Sequence, residues 1–194
     1  MKIQFNNYNY SQSIQTRKSQ QTGNINFRNQ AQRVAVYAGT FDPITNGHFD
    51  LVKAGSKLFD KLIVLIGKNS KKTPLIPLEK RTELIKSCVK DLDNVEVDSY
   101  EGLTVDYAKQ HNANYLLRGM RSVMDFNDEM QIASLNEDFE PDIRTVFLFA
   151  SSINKATSSS VVRELLANKS FERIKMFVPE PVYNYFVETF KTGK

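Results

Sequence analysis

The chain has 194 residues, 41% of them hydrophobic and 25% charged, which suffices for one substantial core and is too little for two. No run approaches the roughly 18 uninterrupted apolar residues of a membrane-spanning helix, and the first residues lack the apolar stretch of a secretory signal, so a cytoplasmic protein is expected. The net charge of +4 is unevenly placed: residues 1–33 carry Lys2, Arg17, Lys18, Arg28 and Arg33 and no acid, which leaves residues 34–194 at −1 and argues against nucleic acid as a partner of that part.

Residues 1–33 are rich in Asn and Gln, poor in aliphatic residues and without sustained periodicity, so they are expected to form a disordered basic extension. Their Arg and Ser content without acids also resembles an organellar transit peptide, although no amphipathic helical face stands out. The folded domain is expected over 34–194.

From Val34 onward, short β-rich runs alternate with helical patterns. The runs are VAVYA (34–38), LIVLIG (62–67), NVEVDSY (94–100), NYLLRG (114–119) and RTVFLFA (144–150). Largely apolar strands separated by helices of 3.6-residue period signal a parallel sheet covered on both faces, because a strand buried on both sides has no polar face to show. The expected fold is therefore α/β: a doubly wound, Rossmann-like five-stranded parallel sheet with helices on both faces. After the fifth strand only helical segments follow, the last with Val182, Tyr185, Phe186 and Phe190 on one face, giving a helical C-terminus.

The single cysteine, Cys88, cannot form an intramolecular disulfide, and its setting in ELIKSCVKDL reads as the buried side of an amphipathic helix rather than as a nucleophile.

In such sheets ligands bind beyond the carboxyl ends of the strands. After the first strand comes GTFDPITNGH (39–48): Gly39 allows a tight turn, Asp42-Pro43 makes an extended corner, and Gly47 opens a helix to about Phe59 with Leu51, Val52, Leu58 and Phe59 on its buried side. That helix aims its N-terminal amides and positive dipole end at the turn, where polyphosphate is the natural occupant. Neither GxGxxG nor GxxxxGK[ST] is present, and His48 stands where a P-loop has its lysine.

The other loops converge on the same edge. Lys68, Lys71 and Lys72 follow the second strand, a run that elsewhere would be a solvated charged surface. Arg118-Gly119-Met120-Arg121 follows the fourth, where two guanidiniums can grip phosphate oxygens or, alternatively, form structural ion pairs. Thr157 to Ser160 open the helix after the fifth, as simple N-caps or as phosphate ligands.

Thr45-Asn46-Gly47-His48 resembles the (H/T)xGH signature of the nucleotidyltransferase superfamily. With YAGTFDPITNGH (37–48), the Lys72 loop followed by Pro74 and LEKR, EGLTVDYA (101–108), RGMRSVMDFNDEMQIA (118–133) and SSSVVRE (158–164) in order, residues 34 to about 190 resemble the phosphopantetheine adenylyltransferase family.

The resemblance implies adenylyl transfer from ATP to 4'-phosphopantetheine, with Mg2+ bridging the ATP phosphates and a hexameric assembly. It implies catalytic roles for His48, Thr40, Lys72 and Arg121, and acceptor contacts from Thr40, Lys72, Thr104 and Arg118. It further implies ATP contacts from Thr40, Phe41, His48, Gly119, Met120, Arg121, Glu129, Asn154, Lys155, Ala156, Thr157, Ser158, Ser159 and Ser160. Family members often carry aromatic residues at the positions of Asp128 and Asn154, so here backbone hydrogen bonds rather than ring stacking are expected to hold adenine. Two alternatives stay open: a related adenylyl- or cytidylyltransferase acting on nicotinamide mononucleotide or glycerol phosphate, and a silent nucleotide-binding protein.

Overall fold

A computed structural model describes residues 32–68, 73–120, 123–149 and 157–191. Of the expected disordered extension over 1–33, residues 1–31 lie outside the described residues, whereas Arg33 is held by Asp60, with Nη2 donating to Oδ1 at 2.8 Å. The elements are β1 (Val34–Gly39), α1 (Asn46–Leu58), β2 (Lys61–Gly67), α2 (Leu78–Val89), β3 (Val95–Tyr100), α3 (Thr104–Gln110), β4 (Tyr115–Met120), α4 (Val123–Phe139), β5 (Arg144–Phe149), α5 (Ser159–Ala167), α6 (Phe171–Ile174) and α7 (Glu180–Phe186), which runs into a π-helical turn over Val187–Lys191. Among the described residues no helix is long and apolar enough to cross a membrane.

The strands form one parallel sheet in the order β3-β2-β1-β4-β5. Side-chain alternation along each strand divides the core in two. Ala35, Tyr37, Leu62, Val64, Ile66 and Leu117 point to the face covered by α1, α2 and the C-terminal helices, while Val34, Val36, Ile63, Leu65 and Leu116 point to the face covered by α3 through Val105, Tyr107 and Ala108. Both faces of β1 and β2 are therefore buried, which is why these strands read as unbroken apolar runs. At the edge, β3 instead alternates and presents Glu96 and Asp98 outward, charges that discourage pairing with another chain.

The helix α1 lies unusually close to the sheet. A Cβ at Gly55 would stand 2.8 Å from a Leu117 methyl, and one at Gly119 would stand 2.1 Å from a Leu51 methyl. These two glycines let helix and strands approach, and they bring the start of α1 to the ends of β1 and β4.

Two expected core positions are exposed. Leu58, at the margin of the α1 face in its last turn, is 44% exposed, whereas Phe59 leaves helical geometry (φ −113°, ψ 150°) and swings its ring into the core. Val182 and Phe186 are fully buried on α7, but Phe190 is 40% exposed: the wider π turn rotates it off the α-helical face, and its ring lies at an angle to those of Tyr185 and Phe186, with centroids 6.4 and 5.9 Å away. Cys88 packs half-buried against the larger core, and burial pushes its thiol up to about 11. That shift disfavours the thiolate at neutral pH.

The C-terminal segment also supports the start of α1. The Asn46 backbone N–H donates to the Phe177 carbonyl at 2.8 Å, and its side-chain amide donates to the Met176 carbonyl at 3.0 Å.

Candidate active site

The turn from Thr40 to Thr45 is fixed by residues from three other elements. The carboxylate of Asp42, 7% exposed, accepts from the Leu75 and Ile76 amides at 2.8 and 2.9 Å. The guanidinium of Arg81, 5% exposed, donates through Nε to the Ile76 carbonyl at 2.9 Å and through Nη1 to the Thr40 carbonyl at 2.6 Å. Burial pulls this guanidinium below its ordinary value, opposed by the nearby charges of Asp42 and Glu79. From α5, Arg163 Nη1 donates to the Asp42 carbonyl at 2.7 Å and Ser159 Oγ to the Pro43 carbonyl at 2.9 Å. The Asp42–Pro43 peptide is cis, a detail of the corner that the residue types alone do not reveal.

Thr45, fully buried, is the N-cap of α1, and His48 occupies the third helical position of a capping box. The Thr45 backbone N–H donates to His48 Nδ1 at 3.1 Å, and the Thr45 hydroxyl stands 3.0 Å from the same nitrogen. An imidazole nitrogen that accepts from an amide carries no proton, so the proton of the neutral ring is on Nε2. The cap thus does two jobs: it satisfies the helix start and fixes the tautomer of His48. The ring is also held edge-on by Phe41, with centroids 5.3 Å apart.

Two clefts border this turn. The smaller, about 140 Å³, runs between the start of α1 and the end of β4 and is lined by His48, Gly47 and Leu51 on one side and by Arg118, Gly119 and Glu129 on the other, with Thr157 at its rim. Arg118 makes a two-point ion pair with Glu129, at 2.6 and 2.7 Å. The larger, about 490 Å³, is lined by Thr40, Asp42, Gly67, Thr73, Pro74, Leu75, Arg81 and Arg163.

The expected site residues distribute as follows. His48, Arg118, Gly119, Glu129 and Thr157 come together at the smaller cleft, while Thr40 borders the larger one. Thr104 opens α3 after β3 and lines neither cleft. Phe41 is 2% exposed and Met120 is 5% exposed, and neither lines either cleft. Ser158 caps α5 by accepting from the Val161 amide at 3.2 Å, and Ser160 accepts from Arg163 at 3.1 Å. Lys72, Arg121, Asn154, Lys155 and Ala156 lie outside the described residues.

Asp42, Arg81 and Arg163 lay inside the quoted motifs without an assigned role. A signal for Arg81 was available: it shares the buried face of α2 with Leu84, Ile85 and Val89, and a guanidinium on an apolar face needs internal partners.

Comparison with known proteins agrees with this arrangement. Residues 36–165 match the model of the cytidylyltransferase-like family. A phosphopantetheine adenylyltransferase of Caldanaerobacter subterraneus is 44% identical over 159 residues, covering 82% of this chain and 98% of the relative. Among solved structures, TmcAL of Thermotoga maritima, bound with alpha-thio ATP, superposes with a TM-score of 0.58 at 13% identity, over 83% of this chain and 56% of that one. A Vibrio parahaemolyticus protein provisionally named nicotinate-nucleotide adenylyltransferase gives 0.57 at 15% identity, over 81% and 99%. These two likenesses speak to the fold, whereas the family model and the sequence relative reach the same turn and loops. The chain belongs to the phosphopantetheine adenylyltransferase family of cytidylyltransferase-like nucleotidyltransferases.

Proposed function

We propose that the protein transfers the adenylyl group of ATP to 4'-phosphopantetheine, releasing pyrophosphate and forming dephospho-coenzyme A. The observation that carries this reading is the His48 geometry: an imidazole held as an Nε2–H donor at a helix N-terminus, lining a cleft shared with Arg118, in a chain 44% identical to a protein named for that reaction.

The acceptor phosphate is already an anion, so its attack on the α-phosphorus of ATP needs no general base. The barrier lies in bringing two anions together and in stabilising charge on the α-phosphate and the departing pyrophosphate, which positioned donors can supply. Thr40 orients the attacking phosphate, Lys72 and Arg118 neutralise it, and His48 with Arg121 donates to the charge developing at the centre and leaving group. Thr104 completes the acceptor side. Gly119 to Arg121, Glu129 and the 154–160 loop hold ATP, with adenine met by backbone groups.

Among the described residues no three His, Cys, Asp or Glu side chains converge as a metal cluster, and both Glu129 oxygens bind Arg118. We further propose that Mg2+ would enter with ATP and offset the charge of its phosphates. We also propose a cytoplasmic homohexamer with residues 1–31 as a disordered extension, the domain beginning just ahead of Val34, where Arg33 is held by Asp60. A self-associating surface is supported by the apolar stripe of Ile132, Leu135 and Phe139 on α4, each 45–52% exposed, and by Phe149 at 72% on β5.

Pyrophosphate release from ATP, compared across 4'-phosphopantetheine, nicotinamide mononucleotide and glycerol phosphate, tests the reading. Turnover with the first is the expected result, and a preference for either other acceptor overturns it.

A further inference from the structure

We propose that Arg81 and Arg163 are positioning residues, which hold the left-handed turn at Phe41 from both sides and thereby set where Thr40 and His48 stand for the transfer. Phe41 has φ 48°, a conformation that a bulky L-residue adopts rarely and that persists only where its surroundings over-determine it. The carbonyl entering Phe41, that of Thr40, is gripped by Arg81 at 2.6 Å, and the carbonyl one residue beyond, that of Asp42, is gripped by Arg163 at 2.7 Å. Arg81 is itself seated on the Ile76 carbonyl, and the Asp42 carboxylate on the Leu75 and Ile76 amides, so one short segment before α2 serves as the anvil for the whole turn.

The consequence passes along covalent and packed neighbours. Rotation at Phe41 turns the Thr40 peptide, and with it the hydroxyl side chain that borders the larger cleft. It also moves the Phe41 ring, which lies edge-on to Tyr37 at 5.4 Å and to His48 at 5.3 Å. Both guanidiniums border the larger cleft, and there Arg81 Nε and Nη1 and Arg163 Nη1 are spent on protein carbonyls that fix the turn.

The test compares full-length wild type with Arg81→Lys, Arg81→Met and Arg163→Met. Hydrogen exchange of the amides in 40–42 reads the turn directly and does not depend on which reaction the protein performs. Exchange there is expected to accelerate at least about tenfold in both Met variants, with β2 amides unchanged. In the adenylyl-transfer assay, which rests on the proposed function, kcat is expected to fall about 10- to 100-fold while the Kd for ATP stays within about threefold. Arg81→Lys keeps a charge and a donor and should recover part of both losses. Unchanged exchange in both Met variants overturns the inference, as does accelerated exchange with an unchanged kcat. A rise in the Kd for ATP that matches the fall in kcat also overturns it, because that marks direct ligand contact. Should Arg81→Met fail to fold, the half-buried Arg163 still decides the matter. A wild type without turnover on phosphopantetheine counts against the functional reading, and the exchange data then judge the turn separately.

Discussion

On the β1–α1 side of the smaller cleft, Asp42, Thr45 and Arg81 are between 0 and 7% exposed; Asp42 and Arg81 are hydrogen-bonded to backbone of the turn or of the segment before α2, and Thr45 to the His48 imidazole. On the β4–α4 side, Arg118 meets Glu129 with side chains 28% and 18% exposed, and α4 turns Phe126, Ile132 and Leu135 outward. A buried hydrogen bond to a charged group contributes about 1.5–3 kcal/mol, and a two-point ion pair that keeps part of its surface in water is weakened by solvent screening. One wall is thus held by its own fold, and the other can answer to what binds it. The stiff wall carries His48, the donor whose position matters most when charge develops.

The sharpest way to break this contrast is His48→Ala. Removing one such donor should lower kcat about 10²- to 10³-fold in the pyrophosphate assay, and near-normal turnover would sink the assignment. The tautomer adds a pH check: a neutral Nε2–H donor keeps turnover as pH rises through the imidazole range, so a loss of activity there would mean that the charged ring acts. Next in size is Asp42→Asn, which sets an amide N–H₂ against the Leu75 or Ile76 N–H. Denaturant unfolding should show a loss of about 2–3 kcal/mol. Glu129→Gln, on the adaptable wall, should lose less than Asp42→Asn in the same measurement, because its pair with Arg118 is partly screened by solvent.

Much of this contrast was hidden in the chain, for a physical reason. Hydrophobic period reports which side of an element is buried, and it located all five strands to within a residue of their ends. It also brought the loops of β1, β4 and β5 to one edge, where His48, Arg118 and Thr157 do meet. It carries no information about partners distant in sequence. Asp42 finds its amides 33 and 34 residues on, Thr40 its guanidinium 41 on, and the Asp42 carbonyl its guanidinium 121 on. Gly119 illustrates the same limit. In the sequence it stands among the expected ATP contacts, while in the fold it is first of all room for Leu51.

Gly119→Ala turns that last point into a measurement on the adaptable wall. The added methyl would meet the Leu51 methyl at 2.1 Å, and Leu51 lines the cleft, so the side chain has somewhere to go. Over-packing of this kind should lower stability by about 1–3 kcal/mol and raise KM as Leu51 is pushed into the ligand's space. Adding Leu51→Ala should restore KM; if it does not, the glycine serves the ligand rather than the helix.

A bond outside both walls provides the reference that the others need. Tyr107 on α3 donates to Asp98 on β3 at 2.7 Å, outside both walls. This bond holds the Asp98 carboxyl below its ordinary 3.8, while burial and then Asp98 push the Tyr107 phenol above 10.0. A depressed carboxyl contributes stability above its unfolded value and loses it as pH falls through the folded one. A raised phenol contributes below its unfolded value and loses it as pH rises through the folded one. Between pH 3.8 and 10.0 the pair therefore contributes in full. Tyr107→Phe should be less stable than wild type by about 1 kcal/mol at neutral pH, and the gap should close as acid protonates Asp98. Its kcat at neutral pH should equal that of wild type. If kcat falls, stability and turnover are coupled throughout the domain, and losses at the stiff wall no longer speak for that wall.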